Sequence, residues 1–211
     1  GPGTAPEGGV VLSEVMVLNQ GFIPNGGATP PWIELHNPGT SEVSLTGWTI
    51  GNDANPRAFS LNFGATIPAG GHLVLWCDSR FEDPGLHTGF ELGAPTERIY
   101  LHNPAGQRVD AVTLGLHLVN TSVARVEGRW VLAVPTPEAP NVAAPLAASS
   151  QLSINEWLAD PLPGESDWIE IFNRDGNFPA ALQGTSLTVN ARTFRISAPI
   201  HIPARGYAQL F

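Results

Sequence analysis

Short runs rich in β-branched and aromatic residues, separated by turn residues, recur along the chain from Val10 onward. Turn dipeptides such as Asn37-Pro38 and Asn103-Pro104 bound these runs, as is typical of strands joined by tight connections. No stretch sustains the apolar period of about 3.6 residues that an amphipathic helix shows. The pattern predicts strands at Val10–Leu18, Trp32–His36, Gly71–Cys77, Arg98–His102, Val109–Leu114 and Ser122–Val126.

This density of short strands favours an all-β fold. About seven or eight strands in the first part of the chain are best buried by an antiparallel sandwich with immunoglobulin-like topology. The 23 Gly and 20 Pro agree with this interpretation, since both residues are unfavourable inside helices and useful in turns. Apolar residues make up 42% and charged residues 14%, a composition that favours a folded chain over a disordered one.

An internal repeat organises the sequence. Its two copies share four landmarks in the same order: Glu14 and Glu156, Trp32–Asn37 and Trp168–Asn173, Leu45–Gly47 and Leu182–Gly184, and Ile67–Trp76 and Ile202–Phe211. The second pair is identical at four of six positions, and the fourth pair at five of ten. The offsets between partners range from 135 to 142 residues, so the insertions fall between landmarks, where surface loops absorb them at little cost.

The repeat predicts a domain organisation. A complete β-sandwich is expected at residues 10–141, an Ala, Pro and Ser-rich linker at 142–150, and the first half of a second sandwich at 151–211. Half a sandwich has an uncovered apolar face and open strand edges. We therefore expect that half to be covered by a second chain in a homodimer, by the first copy, or by residues that have been lost after Phe211.

Taken in this order, the motifs resemble the lamin-tail domain (LTD) as it occurs, repeated, in secreted bacterial proteins. The resemblance covers nearly all of the chain and rests on Glu14, Trp32–Pro38, Leu45–Ile50, Ile67–Gly71, Ile99–Leu101, Ala105-Gly106, Val109-Asp110, Ser122–Arg125 and Pro135–Asn141. It implies an immunoglobulin-type sandwich without catalytic residues, at the cell surface or outside the cell. One departure is that the family usually carries Gly where Glu138 stands.

The net charge of the chain limits the classes of partner that it can bind. The net charge is −9, from 19 acidic and 10 basic residues, and all the basic residues are Arg. Nucleic acid requires a clustered basic face that ten scattered Arg do not supply, so we expect no nucleic-acid partner. Binding to an anionic membrane is disfavoured for the same reason, and no apolar run approaches the roughly 18 residues of a membrane span.

Pairs of carboxylates are the first candidates for catalytic residues. Glu34 and Glu170 follow Trp on matching strands, but they belong to different copies, so nothing holds them at the spacing that glycoside hydrolysis needs. Glu14 and Glu34 form a better local pair because both lie on early strands of one copy. A structural role is expected even for this pair, and no catalytic residue is predicted.

Metal ligands are sparse. The six His lack the spacing of a zinc site on one element, and His36 and His102 both stand in Leu-His-Asn-Pro at a strand end, where turn chemistry explains them. Two acidic groups offer oxygen ligands of the kind that calcium takes: Asp78, Glu82 and Asp83, and the group that contains Asp175. Neither group has the full loop signature, so solvated turns are favoured, and no cofactor is expected.

Cys77 is the only cysteine and is predicted to be a small buried residue after a core strand. The six Trp are predicted to lie mostly in the core, because Trp32 and Trp168 occupy equivalent positions in the two copies, as do Trp76 and Phe211. Exposed aromatics would instead suit a sugar-binding face.

The leading functional hypothesis is a non-catalytic interaction or scaffolding module of a larger secreted or cell-surface bacterial protein. Its partner would be another protein or its own neighbouring domains. One alternative is a carbohydrate-binding accessory module that uses exposed aromatics. A second alternative is a calcium-stabilised adhesion module.

Overall fold

The computed structural model describes residues 9–61, 64–93, 97–159, 162, 164, 166–189, 191–197 and 199–211. The chain divides into two compact units, Gly1–Ala144 and Pro145–Phe211, here called unit 1 and unit 2. Both are built from strands, and the described residues include no α-helix. No helix in this described part is long and apolar enough to cross a membrane.

Unit 1 is an immunoglobulin-like β-sandwich, as predicted. Its strands are β1 Val11–Met16, β2 Trp32–His36, β3 Val43–Ser44, β4 Trp48–Asn52, β5 Phe59–Leu61, β6 Thr66–Ile67, β7 His72–Trp76, β8 Leu86–His87, β9 Glu97–His102, β10 Arg108–Leu114, β11 Ser122–Val126, β12 Arg129–Val134 and β13 Val142–Ala143. One sheet has the order β13-β12-β11-β1-β2-β7-β8, and the other has the order β10-β9-β4-β5. All neighbours are antiparallel except β7 and β8.

The main core lies between these two sheets. Leu12, Ile33 and Leu75 of the seven-stranded sheet share one buried cluster with Ile50 and Leu101 of the four-stranded sheet. Because side chains alternate along a strand, the residues between these core positions point to the opposite face. There a second, smaller cluster forms from Met16, Trp32, Val74 and Trp76. The seven-stranded sheet is therefore covered on both faces.

Unit 2 consists of a 3-10 turn at Ser149–Gln151 followed by seven strands: β14 Leu152–Leu158, β15 Trp168–Asn173, β16 Ala180–Ala181, β17 Ser186–Val189, β18 Arg192–Arg195, β19 His201–Ile202 and β20 Tyr207–Leu210. Its sheets have the orders β14-β15-β20, β16-β19 and β17-β18. A small core forms from Ile171, Leu182, Ile202 and Ala208.

Regular structure is present at both ends of residues 142–150, which were predicted to form a linker. Val142–Ala143 pairs with β12 in unit 1, because the chain returns along an open sheet edge that offers unpaired backbone groups. Ser149 already belongs to the 3-10 turn of unit 2. The irregular connection is thus shorter than its composition suggested.

Corresponding strands in the two units have the same local arrangement. β1 and β2 pair with a bulge between Leu12 and Glu14, and β14 and β15 pair with a bulge between Ile154 and Glu156. A turn asparagine also recurs. The buried amide of Asn37 donates to the carbonyls of Ser41, Ile67 and Pro68, and that of Asn173 donates to Phe178, Ile202 and Pro203.

We expect Asn37→Ala to lower the free energy of unfolding of unit 1 by about 2 kcal/mol, because it leaves buried carbonyls without their donor. Native-state hydrogen exchange of the β2 and β7 amides measures this. Asn103→Ala is the control, since Asn103 follows the same Leu-His sequence but makes exposed hydrogen bonds to Gln107. Equal losses in the two variants would contradict a specific role for Asn37.

Candidate functional site

A pair of buried glutamates occupies the outer face of the seven-stranded sheet. The bulge in β1 places Glu14 directly opposite Glu34 of β2, and both residues are 0% exposed. Glu34 lies between the core residues Ile33 and Leu35, so alternation along β2 directs it to the same outer face as Trp32. Burying two carboxyl groups side by side is costly unless hydrogen bonds compensate.

Most of the hydrogen bonds that offset the burial of the two carboxyl groups come from residues Pro135–Asn141. This segment follows β12 and is here called the closing segment. Glu14 accepts hydrogen bonds from the Ser122 hydroxyl and from the Thr136 N–H, at 3.2 Å to each carboxyl oxygen. The Thr136 hydroxyl adds a third donor at 3.3 Å. Glu34 accepts the N–H of Glu138 at 2.6 Å. The two carboxyl groups therefore fasten the closing segment to the sheet.

Side chains from three other segments of unit 1 form hydrogen bonds with residues at the bulge. Asp110 Oδ2 accepts the N–H of Leu12 at 2.9 Å, and Arg125 donates from Nε to the Leu12 carbonyl at 3.2 Å. Arg125 also makes two hydrogen bonds to Asp110, at 2.7 and 2.9 Å, and its guanidinium lies over the ring of Trp130. Asn141 at the end of the closing segment donates to both the carbonyl and the hydroxyl of Ser13.

Two histidines extend the site. His72 Nδ1 lies 2.8 Å from Glu34 Oε1, and the His36 ring stacks on His72 with centroids 4.4 Å apart. A cleft of about 340 Å³ opens beside them and is also bordered by Ser13, Arg125 and Asn141. The contact between Glu34 and His72 can hold one proton between a carboxyl group and an imidazole.

Burial shifts the pKa values of the two glutamates and the two histidines. It raises the pKa of Glu14 to about 7, and the neighbouring Glu34 carboxyl adds to this rise, while the hydrogen bonds from Ser122 and Thr136 oppose it. Burial likewise raises the pKa of Glu34 to about 7 against the hydrogen bond from Glu138. Burial lowers the pKa of His72. The pKa of His36 is lowered by burial and then by His72. The site therefore changes charge near neutral pH.

A comparison with protein families matches residues 3–115 to the Lamin Tail Domain. The chain belongs to the lamin tail domain family. No curated protein matches it. Lamin tail domains are immunoglobulin-like domains without enzymatic activity, which favours a binding or structural role for the glutamate pair. The matched range ends just after β10, so β11, β12 and the closing segment lie beyond it.

Glu14 and Glu34 were predicted to form a local pair with a structural role, and the structure places them opposite each other. The contact between Glu34 and His72 was not predicted, because the two residues lie 38 positions apart in sequence. His36 was assigned to a turn at a strand end, and His72 was given no role of its own. A prediction that β2 pairs with β7 in the observed register, with His36 opposite His72, would have placed the two histidines together.

The acidic residues considered for calcium have other partners or face solvent. Asp78 is held by His87 Nδ1 at 2.5 Å, and Asp83 by Arg80 Nε at 2.5 Å, while Glu82 is exposed. Asp175 accepts the N–H groups of Asn177 and Phe178, which lower its pKa. Among the described residues no three His, Cys, Asp or Glu side chains converge as metal ligands.

The tryptophans divide between core and surface. Trp32, Trp48 and Trp76 are buried, as predicted, whereas Trp157 is 68% exposed. Trp157 lies on β14 at the position that Val15 holds in β1, and Val15 is 1% exposed. Trp157 is therefore an exception to the expectation that most of the six Trp lie in the core. Cys77 is buried, as expected of a small residue after a core strand.

Glu138 carries backbone strain in the closing segment. Its φ of 63° is in the left-handed region, where a side chain costs about 1 kcal/mol or more and Gly costs little. The family resemblance in the sequence led us to expect Gly at this position. We expect Glu138→Gly to raise the free energy of unfolding of unit 1 by about 1 kcal/mol, and to lower the pKa of Glu34 because a like charge is removed.

Glu127→Gly is the matched control for this variant. Glu127 also has a positive φ, 49°, but it has no role in the raised pKa of Glu34. It should gain stability without changing the titration of Glu34. Urea denaturation gives the stability, and carboxyl chemical shifts give the pKa. A loss of stability in Glu138→Gly would contradict the strain argument.

Proposed function

We propose that this chain is a non-catalytic interaction or scaffolding module of a larger secreted or cell-surface bacterial protein. Unit 2 is then a second, partial copy of the lamin tail domain, supported by the recurring bulge and the recurring turn asparagine. The module acts by contacting another protein or by spacing its own neighbouring domains. Its acidic charge of −9 favours partners other than nucleic acid.

The observation that carries this proposal is the exposed apolar surface of β14. Ile154 is 54% exposed and Trp157 is 68% exposed, although their counterparts Leu12 and Val15 are fully buried. Large aromatic and aliphatic side chains exposed together on a strand are typical of interaction surfaces. A protein that covers this strand would bury both side chains.

Light scattering over a range of chain concentrations tests the proposal. We expect the chain to self-associate through this surface, and Trp157→Ser to weaken the association. Phe81→Ser is the control, because Phe81 is 64% exposed in unit 1 and is not part of β14. A chain that stays monomeric at all concentrations would contradict a homodimer through unit 2.

A glycan-binding module is the second candidate, because the same exposed Trp157 could stack against a sugar ring. Affinity electrophoresis through gels that contain soluble polysaccharides distinguishes a glycan-binding module from a protein-interaction module. Retardation that Trp157→Ser abolishes and Phe81→Ser leaves unchanged would favour the glycan. No retardation in any gel would eliminate this candidate.

A further inference from the structure

The outer face of the four-stranded sheet in unit 1 carries basic side chains near the end of β9. Ile99 and Leu101 of β9 belong to the core, so alternation along the strand directs Tyr100 and His102 to the opposite, outer face. Arg108 of β10 lies directly opposite His102. Arg108 is exposed, and its guanidinium lies 5.9 Å from the centre of the Tyr100 ring. A cation therefore lies beside His102 on the outer face.

A turn that lies over the same face supplies a second cation. Gly51 of β4 faces Tyr100, and any side chain at Gly51 would collide with the backbone of the turn at residues 55–58. The glycine thus gives this turn room on the outer face. The turn carries Arg57, which is exposed. Its Nη2 donates to the Gly106 carbonyl at 2.5 Å, so the guanidinium reaches the turn that joins β9 to β10.

His102 is affected by both cations. It is 8% exposed, and among the described residues its Nδ1 has no hydrogen-bond partner. Burial lowers the pKa of His102, and the charges of Arg57 and Arg108 lower it further. Both guanidiniums therefore lie close to a buried, neutral imidazole with an unused ring nitrogen. A buried polar atom without a partner is rare in folded proteins and calls for an explanation.

Asp53 neutralises a different part of this face. It lies 4.0 Å from Arg98 and accepts the hydroxyl of Tyr100 at 2.7 Å. In the part of the chain that the structure describes, neither Arg57 nor Arg108 forms an ion pair with an acid. The chain has 19 acidic and only 10 basic residues. Two exposed arginines that remain without an acid in such a chain indicate a site for an anion.

We infer that Arg57, Arg108 and His102 form a binding site for one carboxylate group. The planar guanidinium fork matches the two oxygens of a carboxylate, and the neutral imidazole adds a further N–H donor. The net charge of −9 repels polyanions, so the site suits a single carboxylate better than a nucleic acid or a polyanionic sugar chain. The source is an Asp or Glu side chain of a contacted protein, so the inference rests on the proposed function.

A glutamate side chain without other charges tests this site. N-acetylglutamate α-amide is the probe, and N-acetylglutamine α-amide is its uncharged control. Each is titrated into the full chain at constant ionic strength, and the ring signals of His102 are followed by NMR. We expect only the glutamate probe to give a saturable shift, with half-saturation below about 50 mM, because exposed ion pairs each contribute little. The bound carboxylate should also raise the pKa of His102, because it offsets the two guanidinium charges.

Two variants identify the groups that bind the probe. Arg57→Ala and Arg108→Ala should each raise the half-saturating concentration at least about threefold, because each removes one charged partner of the carboxylate. Arg129→Ala is the matched control, since Arg129 is an exposed arginine of the seven-stranded sheet. It should leave the titration of His102 unchanged.

Three results would overturn the inference: equal shifts with the glutamine control, no shift of His102 up to about 500 mM glutamate probe, or binding that both arginine variants leave intact. Polygalacturonate at the same carboxylate concentration should bind more weakly than the probe, and tighter binding would overturn the choice of a single carboxylate. A chain that self-associates through Trp157 but ignores the probe would keep the proposed function and reject only this site.

Discussion

Replacing Glu14 by alanine will lower the free energy of unfolding of unit 1 by about 4 kcal/mol. The variant leaves both donors of Thr136 without their acceptor and leaves the Ser122 hydroxyl only a 3.4 Å contact with the Ala133 carbonyl, at a fully buried position. Each buried donor that is left without an acceptor typically costs about 1–3 kcal/mol. Unpaired donors of this kind cost more than the net value of the bonds they made.

The closing segment should be the first part of unit 1 to respond. In Glu14→Ala the Thr136 amide loses its acceptor, so its hydrogen exchange should accelerate together with that of Glu138. Native-state exchange is suitable because it follows unit 1 separately from unit 2. Exchange in β9 and β10, on the other sheet, should report the global loss of stability alone.

Two controls separate the hydrogen bonds from simple loss of a side chain. Glu14→Gln keeps an oxygen acceptor at nearly constant volume and should cost about 1 kcal/mol. Glu91→Ala removes an exposed carboxylate and should change stability by no more than about 0.5 kcal/mol. If Glu14→Ala were as stable as Glu91→Ala, the glutamate pair would not fasten the closing segment.

Many of the strands could be predicted because they depend on local pattern. Trp32–His36 and Ser122–Val126 were predicted with the bounds that the structure has. The small strands β3, β6 and β8, each of two residues, were not predicted as strands, because so few residues carry no periodic signal. The pairing of Val142–Ala143 with β12 depends on an open sheet edge rather than on composition.

The glutamate site was only partly predictable. Glu14 and Glu34 could be paired from their places on early strands, but their full burial follows from a closing segment more than 100 residues away in sequence. A short polar segment rich in proline has no pattern that indicates where it packs. The expectation of Gly at position 138 was the one local signal, and the positive φ of Glu138 agrees with it.

The raised pKa values of Glu14 and Glu34 predict that this site loses stability as pH rises. Each carboxyl has a pKa near 4.5 in the unfolded chain and about 7 in the folded one, so the folded state binds more protons between these values. The stabilising contribution is full below about pH 4.5 and is lost as pH rises through about 7. At roughly 1.36 kcal/mol for each pKa unit, one such carboxyl contributes about 3 kcal/mol.

Buried histidines change the stability with pH in the opposite direction. Their contribution must therefore be separated from that of the two carboxyl groups. Burial lowers the pKa of His201 in unit 2 to about 4, and those of His36, His72 and His102 are lowered too. Their folded forms bind fewer protons than the unfolded chain. Their contribution is therefore present above about pH 6.5, and it is lost as pH falls through the lower folded pKa.

The double variant Glu14→Gln/Glu34→Gln isolates the carboxyl contribution, since it keeps every histidine. Glutamine imitates the protonated acid, so the variant should be about as stable as the native chain, or slightly less stable, at pH 5. Between pH 5 and 8.5 the difference in unfolding free energy should shift by about 3 kcal/mol or more in favour of the variant. Native-state exchange of β1 and β2 amides, corrected for intrinsic rates, measures this. A constant value across the range would mean that both carboxyl groups remain ionised in the folded chain and that the closing segment is held by carboxylates alone.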